Sequence, residues 1–207
     1  MLLLPLKIAI KVVSLLITGA IAYLVLTGFQ VALASRASTN AADYHQSSAI
    51  VILGSPAPGG VPGMDFVSRL TTAAALYSVH LAPKVILTGV GGSTTSPDVI
   101  VAGRSWLANN GVPASAISSV ASADAVGGLK SAAASLGANA RVLIITDAID
   151  LLWTKGAATS AGLAPTVVPA KGSKVALYSE IGRFAIQTTG VAAGRIIGDL
   201  RATWAAT

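Results

Sequence analysis

The sequence contains no cysteine, only two histidines, and charged residues at just 11% of its length. Without cysteine there is no disulfide framework and no thiolate metal site, so the redox compartment leaves no trace in it. His45 and His80 each lack a neighbouring acid or second histidine at ligand spacing, which argues against zinc. Aromatic residues are also few, at 5%. The basic residues form no stripe interleaved with aromatics; the nearest approach is Lys171 with Lys174. A nucleic-acid footprint is therefore not expected.

What is abundant is apolar residue, at 53% of 207. Part of the excess lies in one place. From Val12 to Ala34 no charge interrupts 23 residues, and about 20 apolar residues suffice to cross a bilayer core. Ser14, Thr18 and Thr27 inside it can bond back to their own helix, and Gln30 falls near the far interface. Lys7 and Lys11 precede the stretch and only Arg36 closely follows it. Positive-inside bias then leaves a short N-terminus in the cytoplasm and the rest of the chain outside, in a single-pass arrangement at the cell membrane. Ala32-Leu33-Ala34 before Ser35 also resembles a signal-peptidase site. The apolar stretch exceeds a cleaved signal's usual length, so a retained anchor is favoured. The formal charge of +6 falls to +3 over residues 37–207, with 11 Lys and Arg against 8 Asp and Glu.

Residues 1–36 thus read as cytoplasmic N-terminus and anchor, 37–48 as a small polar linker, and 49–207 as one domain. Ala49-Ile50-Val51-Ile52-Leu53 is a continuous apolar run ending at Gly54, the pattern of a strand buried on both faces. Val85 to Thr88, Arg141 to Thr146 and Thr166 to Pro169 read as further strands, and Ala116 to Val120 as a short one. Helical spacing connects them: Met64 to Tyr77, Asp98 to Asn110, Ala125 to Leu136, Ile149 to Ser160. The tail from Lys174 to about Trp204 reads as a helix with Ile181, Phe184, Ile196, Ile197, Leu200 and Trp204 as its apolar side. Alternation of strand and helix predicts an α/β, Rossmann-like parallel sheet with helices on both faces, preceded by one transmembrane helix.

Such sheets hold ligands at the carboxyl ends of their strands. The residues there are Gly54-Ser55, Thr88-Gly89 and Thr146-Asp147. Gly91-Gly92-Ser93 and Gly59-Gly60 are places where backbone N–H groups can meet phosphate or carboxylate oxygens, or simply loop glycines. Arg69, one turn into a helix, suits clamping an anion or tying loops to the helix. Asp147 and Asp150 follow a buried strand; they suit acid–base or metal chemistry, while the plainer reading has Asp147 capping the next helix and Asp150 as a solvated first-turn acid.

The order of these pieces resembles the SanA/YdcF-like family of bacterial envelope proteins over about residues 49–170. The resemblance is carried by Ala49-Ile50-Val51-Ile52-Leu53-Gly54, Arg69, Val85-Ile86-Leu87-Thr88-Gly89-Val90-Gly91-Gly92, Gly111-Val112-Pro113 with Ile117, Val142-Leu143-Ile144-Ile145-Thr146 and Ala161-Gly162-Leu163. It implies a role in cell-envelope biogenesis and, for one branch, S-adenosylmethionine binding. The family's polar signature is mostly missing. Its acid after the glycine turn falls on Val99, with Asp98 one residue off. Its T-x-E-N step falls on Val126-Gly127-Gly128-Leu129. Its histidine and arginine after the third clear strand fall on Asp150 and Trp153. Two readings follow. The first is a catalytically degenerate domain binding an anionic ligand, or an envelope partner, with Gly54, Ser55, Arg69, Gly91, Gly92 and Ser93 lining the site. The second is an active enzyme using Arg69, Asp98, Asp147 and Asp150 on a phosphorylated or lipid-linked envelope precursor. No cofactor is specified.

Overall fold

A computed structural model describes residues 3–36, 40–55, 57–89, 96–172 and 177–199. It holds a five-stranded parallel sheet flanked by helices, as the strand–helix alternation predicts. The strands are β1 (Ala49–Ile52), β2 (Val85–Thr88), β3 (Ile117–Val120), β4 (Arg141–Thr146) and β5 (Ala164–Pro169). The helices are α1 (Leu3–Ala34), α2 (Met64–Ser78), α3 (Ser96–Asn109), α4 (Ala125–Leu136), α5 (Leu151–Ser160) and α6 (Leu177–Ile197). The spatial order is β3-β2-β1-β4-β5, all pairs parallel. Strand order reverses between β1 and β4, where Ile50 pairs with Leu143 and Ile52 with Ile145.

Alternation along the strands builds a separate core on each face. Ile50, Ile52, Leu87, Leu143 and Ile145 pack under Phe66 and Leu70 of α2 and Leu107 of α3. Val51, Ile86, Val142 and Ile144 pack under Leu129 of α4 and Trp153 of α5. The second core also takes Val31 of α1 and Val191 of α6. Small residues set the helix-to-helix spacing: a Cβ at Gly103 of α3 would lie 2.8 Å from Phe66 Cζ of α2.

The N-terminal helix divides into two parts. Its Ile10–Ala34 stretch has mean hydropathy 2.2 and is long and apolar enough to cross a membrane. Every residue from Ile10 to Ala22 is exposed. Tyr23, Thr27, Gly28 and Val31 then recur on one helical face and pack inward, with Thr27 and Val31 each 1% exposed. Gly28 lets the Phe184 ring and Thr188 of α6 approach its backbone. The Tyr23 hydroxyl donates to the Ala192 carbonyl at 3.4 Å, and Arg195 Nη1 donates to Gln30 Oε1 at 2.8 Å. Thr18 and Thr27 hydroxyls donate to the carbonyls of Ser14 and Tyr23, the expected back-bonds within the helix.

The apolar side of α6 is not all turned inward. Ile196 and Ile197 are 75% and 49% exposed, while Gln187, Thr188, Val191 and Ala192 are buried. The face turned inward carries the small and amide side chains that let α1 approach closely. Of the other residues expected on that side, Phe184 is half-buried, and Leu200 and Trp204 lie outside the described residues.

Phe66 is fully buried and fills the gap left by Gly103. Phe66→Ala is expected to lower the unfolding free energy by about 3–5 kcal/mol, measured by urea denaturation of the full chain in detergent.

Candidate functional site

The carboxyl ends of β1 and β4 meet at the point where strand order reverses, the place where open α/β sheets hold ligands. One loop and two helices supply charge there. The core face of α2 runs Phe66, Arg69, Leu70, Ala73 and Leu76, so helical spacing carries Arg69 into the interior. The residue is 7% exposed. Its Nη1 donates to the carbonyls of Leu53 at 2.8 Å and Gly54 at 2.9 Å. Its Nε donates to Asp147 Oδ1 at 3.0 Å, and its Nη2 lies 2.9 Å from Asp147 Oδ2. Four donors thus meet four protein acceptors, and the Arg69–Asp147 fork is bidentate.

Asp147 follows β4 directly and is 2% exposed. The expected helix cap is absent. Asp147 occupies the position before a short 3-10 turn (Ala148–Asp150), but its carboxylate makes no bond to that turn. Instead Oδ2 also accepts from Arg183 Nη2 at 2.8 Å. Two guanidiniums outcompete a turn N–H for a buried carboxylate. Asp150 is likewise not solvated. Its side chain is 14% exposed and its Oδ2 accepts from Arg183 Nη2 at 3.1 Å. Its Oδ1 is buried without a partner among the described residues.

The two aspartates titrate in opposite directions. Burial pushes Asp147 up, but Arg69 and then Arg183 reverse this and hold it below the usual carboxylate range. Burial pushes Asp150 up to about 6, because Arg183 compensates only partly and the Asp147 charge adds to the rise. Burial lowers Arg183, yet its bonds to Asp147 and the charge of Asp150 leave it raised.

Thus Arg69, Asp147, Asp150 and the Gly54 carbonyl form one cluster, as expected of a shared strand-end site. Ser55 is half-buried at the start of the β1–α2 loop, and Asp98 is exposed in the first turn of α3. Gly91, Gly92 and Ser93 lie outside the described residues. Gly59 and Gly60 are exposed at φ 66° and 75°, a turn conformation that favours glycine. Sequence reasoning missed Arg183, which lies far along the chain with no motif around it. Its available signal was its place at the edge of the charge-free run from Phe184 to Gly194.

The neighbouring strand end is closed by small residues. The Thr88 hydroxyl at the end of β2 donates to the Ile52 carbonyl and accepts from Gly54 N–H, at 3.2 and 3.3 Å. A Cβ at Gly128 would lie 2.8 Å from Thr88 Cβ. An acidic side chain at this α4 position, where the resemblance would put one, has no room. Among the described residues no group of three or more His, Asp or Glu stands ready to hold a metal ion. Comparison with family models, curated proteins and solved structures finds no match to this chain.

Asp147→Asn leaves the buried Arg69 and the half-buried Arg183 short of an anion, and is expected to cost about 3–5 kcal/mol at pH 7.5. Wild-type Asp147 stabilises the fold above the carboxylate range, and that contribution fades as pH falls through its lowered native value. Asp150 has the opposite sign. Its native value near 6 exceeds the unfolded one near 3.8, so ionising it opposes folding above about pH 6, and the penalty vanishes below about pH 4. Asp150→Asn is therefore expected to match or exceed wild type at pH 8, by up to about 3 kcal/mol, and to lose that advantage by pH 4. Urea titrations across pH read both.

Proposed function

We propose that this chain is a membrane-anchored envelope protein, a divergent relative of the SanA/YdcF-like proteins, whose α/β domain works by binding rather than by catalysis. The single observation supporting this is the buried ion cluster at the β1–β4 crevice. The groups that resemble an active site there bond to one another and to backbone carbonyls. Arg69 acts as a clasp joining α2 to both strand ends. The ligand side of the cluster is Arg183, whose side chain is 26% exposed. Its chemistry fits an anionic group such as a phosphate. An envelope protein presenting a carboxylate offers the same charge.

In this reading α1 is retained. Cleavage after Ala34 would remove Val31 from the second core, take away the buried Thr27 and strip α1 from Phe184, Thr188 and Ala192. Lys7 and Lys11 hold the N-terminus in the cytoplasm and the domain faces outward. Intact-mass measurement of protein purified from membranes is expected to give the chain with residues 1–34 attached. A mature chain beginning at Ser35 would refute retention.

An active enzyme is the second reading, and Asp150 favours it. A carboxyl group raised to about 6 beside an arginine is suited to general acid–base work near neutrality. A thermal-shift screen of the full chain in detergent separates the two, using nucleotides, S-adenosylmethionine and isoprenoid phosphates. Binding at 100 times Kd adds about 2.7 kcal/mol. The binding reading expects a stabilising anion that is recovered unchanged. Turnover of that compound, lost in Asp150→Asn while the fold is kept, would overturn it.

A further inference from the structure

The outer face of α6 differs from that of a water-exposed helix. Gly182, Ala185, Ile186, Thr189, Ile196 and Ile197 are its exposed residues on one side, following helical spacing, and none is charged. From Phe184 to Gly194 the helix carries no charge at all. A soluble domain ordinarily places charged and polar residues on that side. The same helix is packed against α1, and the contact fixes its depth. From Ile10, where the apolar stretch begins, to Tyr23 is a rise of about 20 Å. The hydrocarbon core is about 30 Å thick. The level of Tyr23 is therefore still inside the core, by about 10 Å, and at that level its hydroxyl meets the Ala192 carbonyl. Ile196 and Ile197 follow within the next turn and a half.

We propose that α6 is seated in the outer leaflet of the membrane, with Ile186, Thr189, Ile196 and Ile197 against lipid. The occupant of this face is the bilayer, because the face is continuous with the exposed surface of α1. This rests on α1 being a membrane span. The charged side chains at the deep end of α6 behave as the location requires. Arg195 reaches to Gln30, about 10 Å further along α1 toward the outer side, the direction in which a long cation snorkels. Asp199 turns inward, over the glycine notch of Gly156 and Gly194 and within 3.4 Å of the Ser160 hydroxyl. The depth matches that of interfacial helices, about 5–10 Å. The domain thus lies on the membrane instead of hanging from a free tether.

The absence of native cysteine makes the test direct. Single cysteines replace Ile186, Thr189 or Ile196 in the full chain, with Ala75→Cys, exposed on α2 across the sheet from α1 and α6, and Leu15→Cys in α1 as references. Each is labelled with the fluorophore NBD and reconstituted in phosphatidylcholine nanodiscs. Doxyl-labelled lipid and aqueous iodide serve as quenchers. The α6 sites are expected to be quenched at least twofold by doxyl lipid and little by iodide, with Ile196→Cys the deepest, while Ala75→Cys shows the reverse. Iodide quenching of the α6 sites equal to that of Ala75→Cys would overturn the proposal. So would shielding from both quenchers, which signals a protein partner or a second copy. Failure of the α1 reading shows separately, as loss of lipid quenching at Leu15→Cys.

Discussion

The pairing of Arg69 with Asp147 is the constraint on which this domain depends. A parallel sheet whose order reverses between β1 and β4 leaves a gap at that point. In this chain the gap receives a guanidinium from α2 and a carboxylate from the end of β4, with the β1 carbonyls of Leu53 and Gly54 completing the cage. Two charges removed from water are tolerated when geometry is close and remaining donors are met. Arg183 then extends the pairing to α6. One carboxylate therefore fixes three elements: α2, the β4 end and α6.

That linkage has a mechanical consequence. Because α6 is held through Arg183 and also packs along the C-terminal half of α1, the orientation of that apolar helix is fixed relative to the sheet. The chain between Ala34 and β1 need not act as a spacer, since contact between helices already sets the distance. Asp150 introduces the one discord in the cluster. Its unpartnered Oδ1 and raised titration mean that the Arg183 end is held less firmly than the Arg69 end.

Much of the fold was legible because the signals were local. Apolar runs such as Arg141 to Thr146 and glycine stops such as Gly162 mark buried strands and helix ends, and the parallel sheet follows from their alternation. The membrane-length helix was equally plain from Val12 to Ala34. The site was only partly legible. Arg69, Asp147 and Asp150 were visible as polar residues beside buried strands, but their partners were not. A capping role for Asp147 is a short-range expectation, overridden by two arginines 78 and 36 residues away in sequence. Long-range charge pairing has no period or motif to announce it. The face of α6 that packs inward had no such signal either. Ile196 and Ile197 look like core residues when water is the only solvent considered, whereas Thr188 and Ala192 bury themselves against another helix by being small.

A double-mutant cycle across Arg69 and Asp147 tests the central claim most directly. Arg69→Met, Asp147→Leu and the combined variant are compared with wild type by urea unfolding of the full chain in detergent. If the pair is the clasp that fills the crevice, each single change costs several kcal/mol and the double change costs less than their sum by at least about 2 kcal/mol. Additive losses, with no coupling between the two positions, would contradict it.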